Sequence, residues 1–513
     1  MATAKNPILS GFYPDPSICR VGEDYYIVNS TFSYFPGLPV MHSKDLAHWE
    51  QIGNVMTTNS GLPLVEGGHS AGLFAPTIRY YDGVYYCICT NVSFGGNYVV
   101  TATNPAGPWS EPHYLKGADG IDPSLFFDDD GKCYYCGTHP NKDGCRYNGD
   151  YFIWVQELNV ETFELVGEKV DVWNGAMRDI CWPEGPHIYK KDGYYYIMNA
   201  EGGTGPNHAV TCCRSRHVFG PYENNFNNPI LTHRHLGKDY PIQYVGHADL
   251  VETQNGDWYM VMLAVRPQNK MTTMGRETFL AKVVWEDGWP IVNPGVGLLT
   301  DTVEVNLPEW KPKTLCTGVY DFTTMNEIGP EFMTLRNTVD WSLVLESGKG
   351  LILPYRPVTL QEQKNPSFLC LRQKCHNPEV EIVFDTSSVS ESGEAGLCLM
   401  QSNAYYVRAA ITKKAGKLFA RVYTCMAGKE EALPEVEVSV SDEVVLHFSV
   451  ADLKLQANVV SAGTGIALCK DQDVSLLSTE VAGGFVGCTY GVYAIATQDT
   501  KDAVIVKKFT EKL

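Results

Sequence analysis

Cys181-Trp182-Pro183-Glu184-Gly185-Pro186-His187-Ile188-Tyr189 is the stretch on which the fold turns. It places a carboxylate between two prolines, directly before a run that ends in Tyr194-Tyr195-Tyr196-Ile197. Proline fixes its own φ and restricts the residue before it, so the backbone around Glu184 is stiff. The whole reads as a short apolar strand, an Asp192-Gly193 turn and an aromatic strand, the signature of a β-hairpin. A rigid carboxylate at the start of a buried strand suits catalysis more than structure. Recurrence of the pattern gives this reading its weight.

Four further segments line up with it. Asp15-Pro16-Ser17-Ile18 leads through Gly22-Glu23-Asp24 to Tyr25-Tyr26, and Ala75-Pro76-Thr77-Ile78 through Asp82-Gly83 to Tyr85-Tyr86. Asp122-Pro123-Ser124-Leu125 leads through Asp130-Gly131 to Tyr134-Tyr135, and His247-Ala248-Asp249-Leu250 through Asn255-Gly256 to Trp258-Tyr259. With the unit at Glu184, the starts fall at 15, 75, 122, 184 and 247. Each interval has room for two more strands, and four antiparallel strands repeated radially make a propeller blade. The sequence therefore predicts an all-β protein whose residues 1–306 form a five-bladed β-propeller. Ser43-Lys44-Asp45-Leu46-Ala47-His48-Trp49 reads as part of the outer strands of blade one.

Leu307-Pro308-Glu309-Trp310-Lys311-Pro312-Lys313 breaks the repeat and reads as a linker. Residues 314–513 alternate without the blade pattern, as in Val380-Glu381-Ile382-Val383-Phe384, and end in a closing strand at Ala503-Val504-Ile505-Val506. They are predicted to form a second domain, a β-sandwich.

A 513-residue chain exceeds one core and accommodates two domains. Its net charge of −19 disfavours nucleic acid and anionic membranes as partners. It has no apolar run of spanning length and its start lacks the apolar core of a signal peptide, so a cytoplasmic location is expected. Sixteen scattered cysteines read as reduced core residues, not a disulfide framework. Cys133 and Cys136 stand three apart on a strand and face opposite sides, which disfavours metal or redox use.

In a propeller the innermost strands line one channel, so Asp15, Ala75, Asp122, Glu184 and His247 are expected to converge. A single Asp-Pro is commonly a turn starter. Three acids at matching positions point to a site. Glycosidic cleavage needs a general acid for the leaving oxygen and a second carboxylate on the other face of the sugar. Carboxyls crowded into one dry pocket repel, and at least one stays protonated near neutral pH. Glu184 has the longest reach and aromatic neighbours, so it is the candidate acid. Asp15 is the candidate base, and Asp122 would orient Glu184 and tune it. Arg276 is the candidate substrate-binding cation that holds Asp15 ionised, or else a partner of Glu277. His247 reads as a ligand to a hard cation such as Ca2+, with water completing the shell; a satisfied core histidine is the alternative.

These segments resemble glycoside hydrolase family 43 along the whole chain. The similarity is carried by Asn6-Pro7-Ile8-Leu9 through Asp15-Pro16-Ser17, by Gly120-Ile121-Asp122-Pro123, by Trp182-Pro183-Glu184-Gly185-Pro186-His187, and by Gly275-Arg276-Glu277-Thr278-Phe279. The resemblance implies a five-bladed propeller and an inverting mechanism. It implies a base at Asp15, a pKa modulator at Asp122, an acid at Glu184, a substrate-binding Arg276, and a central, calcium-linked site at His247. Phe32 is read by resemblance as a sugar-contacting aromatic. Phe74 stands where relatives often carry Trp.

Within the family, the chain looks closest to the α-L-arabinofuranosidase and β-xylosidase branch with a C-terminal β-sandwich. The leading expectation is exo-release of α-L-arabinofuranose from arabinoxylan or xylo-oligosaccharide side chains. A β-xylosidase, alone or with dual activity, is the runner-up. A non-catalytic carbohydrate-binding propeller would need no acid trio. A fructan- or sucrose-acting enzyme would need a nucleophile region that Tyr13-Pro14-Asp15-Pro16 replaces. The expected partner is a pentose-containing oligosaccharide, and oligomeric state is left open, a homo-oligomer included.

Overall fold

The computed structural model describes all residues except 59–61, 65–66, 314–317, 337–342 and 513, so the first four residues of the expected second domain lie outside the described residues. The five repeat units form five four-stranded antiparallel sheets, each running in sequence order from one edge to the other. The first blade is Ser17–Val21, Asp24–Val28, Gly37–Ser43 and Glu50–Met56. The first strands of the others are Thr77–Tyr81, Ile121–Phe127, Glu184–Lys191 and Gln243–Glu252. Each touches the next, and Gln243–Glu252 returns against Ser17–Val21, so the ring closes. At the Asp82-Gly83 and Asp192-Gly193 turns both residues have positive φ, as a two-residue hairpin turn demands.

The apolar residues divide into wedges between adjacent blades. Ile78, Cys87 and Val28 meet in one, Ile88, Leu125 and Trp154 in the next, and Tyr134, Ile188 and Ile197 in a third. Cys133 belongs to the second wedge and Cys136 to the third, which places them on opposite faces of their strand. The chain ends of the ring are tied by Ala2–Lys5 pairing with Thr302–Val305. The buried Asn6 side chain reinforces this by donating to the carbonyls of Leu280 and Thr300 at 2.9 Å.

Ser43 to Trp49 is not strand beyond its first residue. Asp45 accepts hydrogen bonds from the backbone N–H groups of Ala47 and His48 and from the Ser43 hydroxyl, which folds the segment into the turn before Glu50–Met56. Residues 307–313 lie along this blade: the N–H of Trp310 donates to Asp45 and that of Lys313 to Glu50.

The C-terminal region is a two-sheet sandwich around one apolar core. Ala503–Lys512 is an interior strand of its sheet, flanked by Gly350–Pro354 and Glu379–Asp385, and so is held on both sides. The sandwich is bonded to the propeller. Thr334–Leu335 pairs with Tyr34–Phe35, and the fully buried Arg336 donates to Asn403 and to the Gly67 carbonyl. Thr479 and Cys488 donate backbone hydrogen bonds to Thr272 and Thr273 of blade five. The sandwich thus covers blades one and five and the connection to blade two.

Below the strand starts, the channel is filled by one ionic knot. Asp249 accepts two hydrogen bonds from Arg79, at 2.9 and 3.1 Å, and others from Ser17, the Ile18 N–H and Tyr189. Arg79 also donates to Nδ1 of His187. Four blades meet on this carboxylate, which is completely buried. Removing one partner of such a pair leaves an uncompensated buried charge. Asp249→Ala is therefore expected to lower stability by about 3–5 kcal/mol, read as a shifted urea unfolding midpoint; a shift within ~0.5 kcal/mol would show that the knot is dispensable.

Candidate active site

The innermost strands begin with an unusual backbone. Asp15, Asp122 and His247 have φ of 52°, 52° and 49°, the left-handed region that side-chain-bearing residues seldom occupy. The pairing of blades three, four and five shifts register at these strand starts, between Ile121 and Ser124, Glu184 and His187, and Gly246 and Ala248. Such bulges turn a side chain off the sheet face, and here they turn it into the channel.

Blade four departs from the matching read in the sequence. Its left-handed residue is Gly185, φ 57°, followed by Pro186 as Asp15 is by Pro16 and Asp122 by Pro123. The position equivalent to Asp15 is therefore Gly185, and Glu184 stands one residue earlier, level with Ile121 of blade three. Gly185 is required there: a Cβ would meet the His247 ring at 2.9 Å. Its N–H donates to Asp122 at 3.1 Å. The longer glutamate side chain enters the same pocket from one step further out.

One pocket is lined by Asp15, Phe32, Phe74, Ala75, Asp122, Glu184, His247 and Arg276, which brings together every residue singled out in the sequence. Ile121, Thr204, His208 and Phe485 complete it. Arg276 donates to Asp15 Oδ1 at 2.7 Å, and Ser30 donates to Oδ2 at 2.6 Å. His247 Nδ1 lies 3.8 Å from Asp15 Oδ1. Arg266, not Arg276, pairs with Glu277.

The three carboxyls sit in different fields. Burial would raise Asp15, but Arg276, His247 and the Ser30 hydrogen bond together hold it below the ordinary carboxylate value. Burial pushes Asp122 up to about 6; His247 opposes this, while the Asp15 charge adds to it. Glu184 is driven well above its ordinary value by burial, then by repulsion from Asp122 and Asp15, with only Arg276 opposing. The pocket therefore holds an ionised carboxylate and a protonated carboxyl at one pH, the charge states of a base and an acid.

Glycosyl hydrolases family 43 matches residues 4–290, and a β-xylosidase C-terminal concanavalin A-like domain matches residues 319–510. The chain belongs to glycoside hydrolase family 43. It is 49% identical to a xylosidase/arabinosidase of Butyrivibrio fibrisolvens over 98% of both chains. It is 38% identical to a non-reducing end α-L-arabinofuranosidase of Bacteroides ovatus, over 96% of this chain and 91% of that one. The structure of a xylan β-1,4-xylosidase from Bacillus halodurans superposes with a TM-score of 0.92 at 34% identity, covering 99% of this chain and all of that one.

This family-43 enzyme builds part of its pocket from the sandwich. Phe485 stacks on Phe32 at 6.0 Å between ring centroids and meets Phe74 edge-on at 6.0 Å. Its carbonyl accepts from Arg276, and its N–H donates to Ser70. Nothing in the sequence around Gly483-Gly484 marks this residue, because the signal lies in how two domains dock. Thr204 and His208 belong to the connection between the second and third strands of blade four, which the hairpin order brings back to the same mouth. His208 donates from Nδ1 to the Tyr244 carbonyl, and burial pushes it down to about 3, so it is neutral.

A hard cation at His247 would have to draw most of its ligands from water, as the sequence reading expects. Among the described residues no three His, Cys, Asp or Glu side chains are grouped to hold a metal. Calcium takes six to eight oxygens. Here one imidazole is offered beside an Asp15 already engaged by Arg276 and Ser30.

The raised Glu184 has a thermodynamic signature. A carboxyl whose folded pKa exceeds its unfolded value contributes stability below the unfolded value and loses it as pH rises toward the folded value. Glu184→Gln removes that loss while keeping the shape. The variant should match the wild type in thermal stability near pH 4 and exceed it progressively toward pH 7. Melting curves across that range check this, and a gap that closes with rising pH would contradict a raised Glu184.

Proposed function

We propose that this chain is an inverting, exo-acting glycosidase with both β-D-xylosidase and α-L-arabinofuranosidase activity on xylan-derived oligosaccharides. The observation that carries the chemistry is the split among three carboxyls in one pocket, with Asp15 ionised against Arg276 and Glu184 protonated. Asp15 takes a proton from a water at the anomeric carbon. Glu184 gives its proton to the departing glycosidic oxygen. Asp122, bonded to the Gly185 N–H beside Glu184, keeps the acid charged with its proton and fixes its backbone. Inversion follows the family resemblance.

The sequence alone placed arabinofuranosidase first. The dual reading now takes that place. The relative at 49% identity is named for both activities, and others are named for one or the other, including a xylan 1,3-β-xylosidase of Vibrio at 39%. Both sugars are pentoses, and both cleavages need the same acid and base. Exo action is supported by the Phe32, Phe74 and Phe485 cluster, which walls one side of the pocket.

Aryl β-D-xylopyranoside and aryl α-L-arabinofuranoside should both be hydrolysed, and Glu184→Ala should cut kcat/KM on each by about 10²–10⁴. NMR of the first-formed sugar should show the anomer opposite to the bond cleaved. Unimpaired sugar binding with no turnover in the wild type would move the chain to the binding-propeller reading. Arg276 depresses all three carboxyls. Arg276→Ala should therefore move both limbs of the kcat/KM pH profile to higher pH, besides lowering its height. Limbs that stay in place would separate Arg276 from the charge balance.

A further inference from the structure

We propose that Trp182 is the leaving-group platform of this enzyme: its indole carries the xylopyranosyl residue expelled when the glycosidic bond breaks. The inference rests on the hydrolase reading above and adds a binding surface to it.

Three observations converge on this residue. The first is direction. Phe32, Phe74 and Phe485 wall the pocket at blades one and two, and the sandwich is bonded over blade five. The way out is therefore over blades three and four, the side from which Glu184 enters. A leaving group protonated by Glu184 departs past the residues around it.

The second is backbone cost. Trp182 has φ 48°, in the left-handed region, which a bulky side chain occupies only when its surroundings impose it. The surroundings do impose it. The Trp182 N–H donates to the Gly149 carbonyl at 2.7 Å, and the Gly202 N–H donates to the Cys181 carbonyl at 2.8 Å. Connections from blades three and four are thus stitched to either side of the residue.

The third is the seat of the ring. A Cβ at Gly149 would come within 2.9 Å of the indole, and one at Gly203 within 2.7 Å. Two glycines in two loops leave room for one ring, and Thr204, next to Gly203, lines the catalytic pocket. Trp154, which serves packing alone, is fully buried; Trp182 keeps part of its surface open. A clamped, partly open indole two residues before Glu184, beside a loop whose Thr204 lines the pocket, combines an apolar ring with a polar edge, suited to the C–H face and hydroxyls of a pyranose.

The leaving group is also what the two activities share. Removing arabinofuranose from a xylan-derived chain and removing a terminal xylose both expel a xylopyranosyl unit. One platform on the acid side serves both, while the walled pocket sorts the sugar being released.

The test compares xylobiose, whose leaving sugar reaches past Glu184, with methyl β-D-xylopyranoside, whose methanol needs the same proton from Glu184 but is too small to reach Trp182. Glycine accepts the left-handed backbone, so Trp182→Gly removes the ring without imposing a new strain. Its kcat/KM on xylobiose should fall by about tenfold, with the methyl glycoside within about twofold of wild type. Trp182→Phe should recover most of the loss on xylobiose. Equal losses on both substrates, or an unchanged rate on xylobiose, would overturn the proposal. A wild type that cleaves neither substrate would instead defeat the hydrolase reading, so the two failures are told apart.

Discussion

The structure depends on one ion pair in a place where charge is expensive. Asp15 and Arg276 are both buried, 2.7 Å apart, and they come from opposite ends of the propeller sequence. A carboxylate in that pocket without a partner would take up a proton and cease to be a base. With Arg276 present, Asp15 stays ionised and its charge then acts on its neighbours. That charge helps to keep Asp122 and Glu184 protonated. Arg276, acting with His247 on Asp15 and Asp122, thus sets two different protonation states a few side chains apart. A second cation in the same place would ionise more of them and remove the acid.

Such a balance requires rigid placement, and the fold supplies it in layers. The upper layer is the set of left-handed strand starts that aim Asp15, Asp122 and His247 inward. The lower layer is the Asp249 knot, two to four residues further along the innermost strands of blades one, two, four and five, which binds those four blades to one another. Strain above is tolerated because connectivity below leaves the strands nowhere to slide. The sandwich adds a third constraint. Its Phe485 carbonyl accepts from the same arginine that holds Asp15, so domain docking and charge balance meet at one guanidinium.

The propeller was legible because its signal is repeated and local. Asp82-Gly83 and Asp192-Gly193 turns between apolar and aromatic strands can be read from a few residues, and five copies fix the ring. The converging acids were legible for the same reason. The misreading at blade four shows where this logic stops. Matching the carboxylates placed Glu184 opposite Asp15, but the prolines place Gly185 there, because the backbone rather than the charge defines the repeat. The chain uses the glycine to make room for His247 and sends the acid in from the preceding residue. Ser43 to Trp49 was misread for another reason: Asp45 satisfies the backbone locally and ends the strand. Phe485, Thr204 and His208 were not legible from their own neighbourhoods. Their roles arise from docking and loop return, which no short pattern encodes.

The site is asymmetric about the acid, and this bears on how one pocket treats two sugars. On one side lie three phenylalanines in mutual contact, two from the propeller and one from the sandwich. They run from the buried Phe32 to the exposed Phe485 and offer shape rather than hydrogen bonds, so discrimination between a furanose and a pyranose of the same carbon count is expected to be weak there. The directed polar groups, Arg276, His247 and the acids, gather on the catalytic side of the same pocket. On the other side the wall includes loops from blades three and four, where Trp182 is clamped between Gly149 and Gly203. On the proposed function, selectivity among substrates falls to the open side, where Trp182 is proposed to hold the departing chain, and the opposite side supplies the chemistry. A pocket built this way keeps its catalytic charge balance fixed while the rim is free to vary.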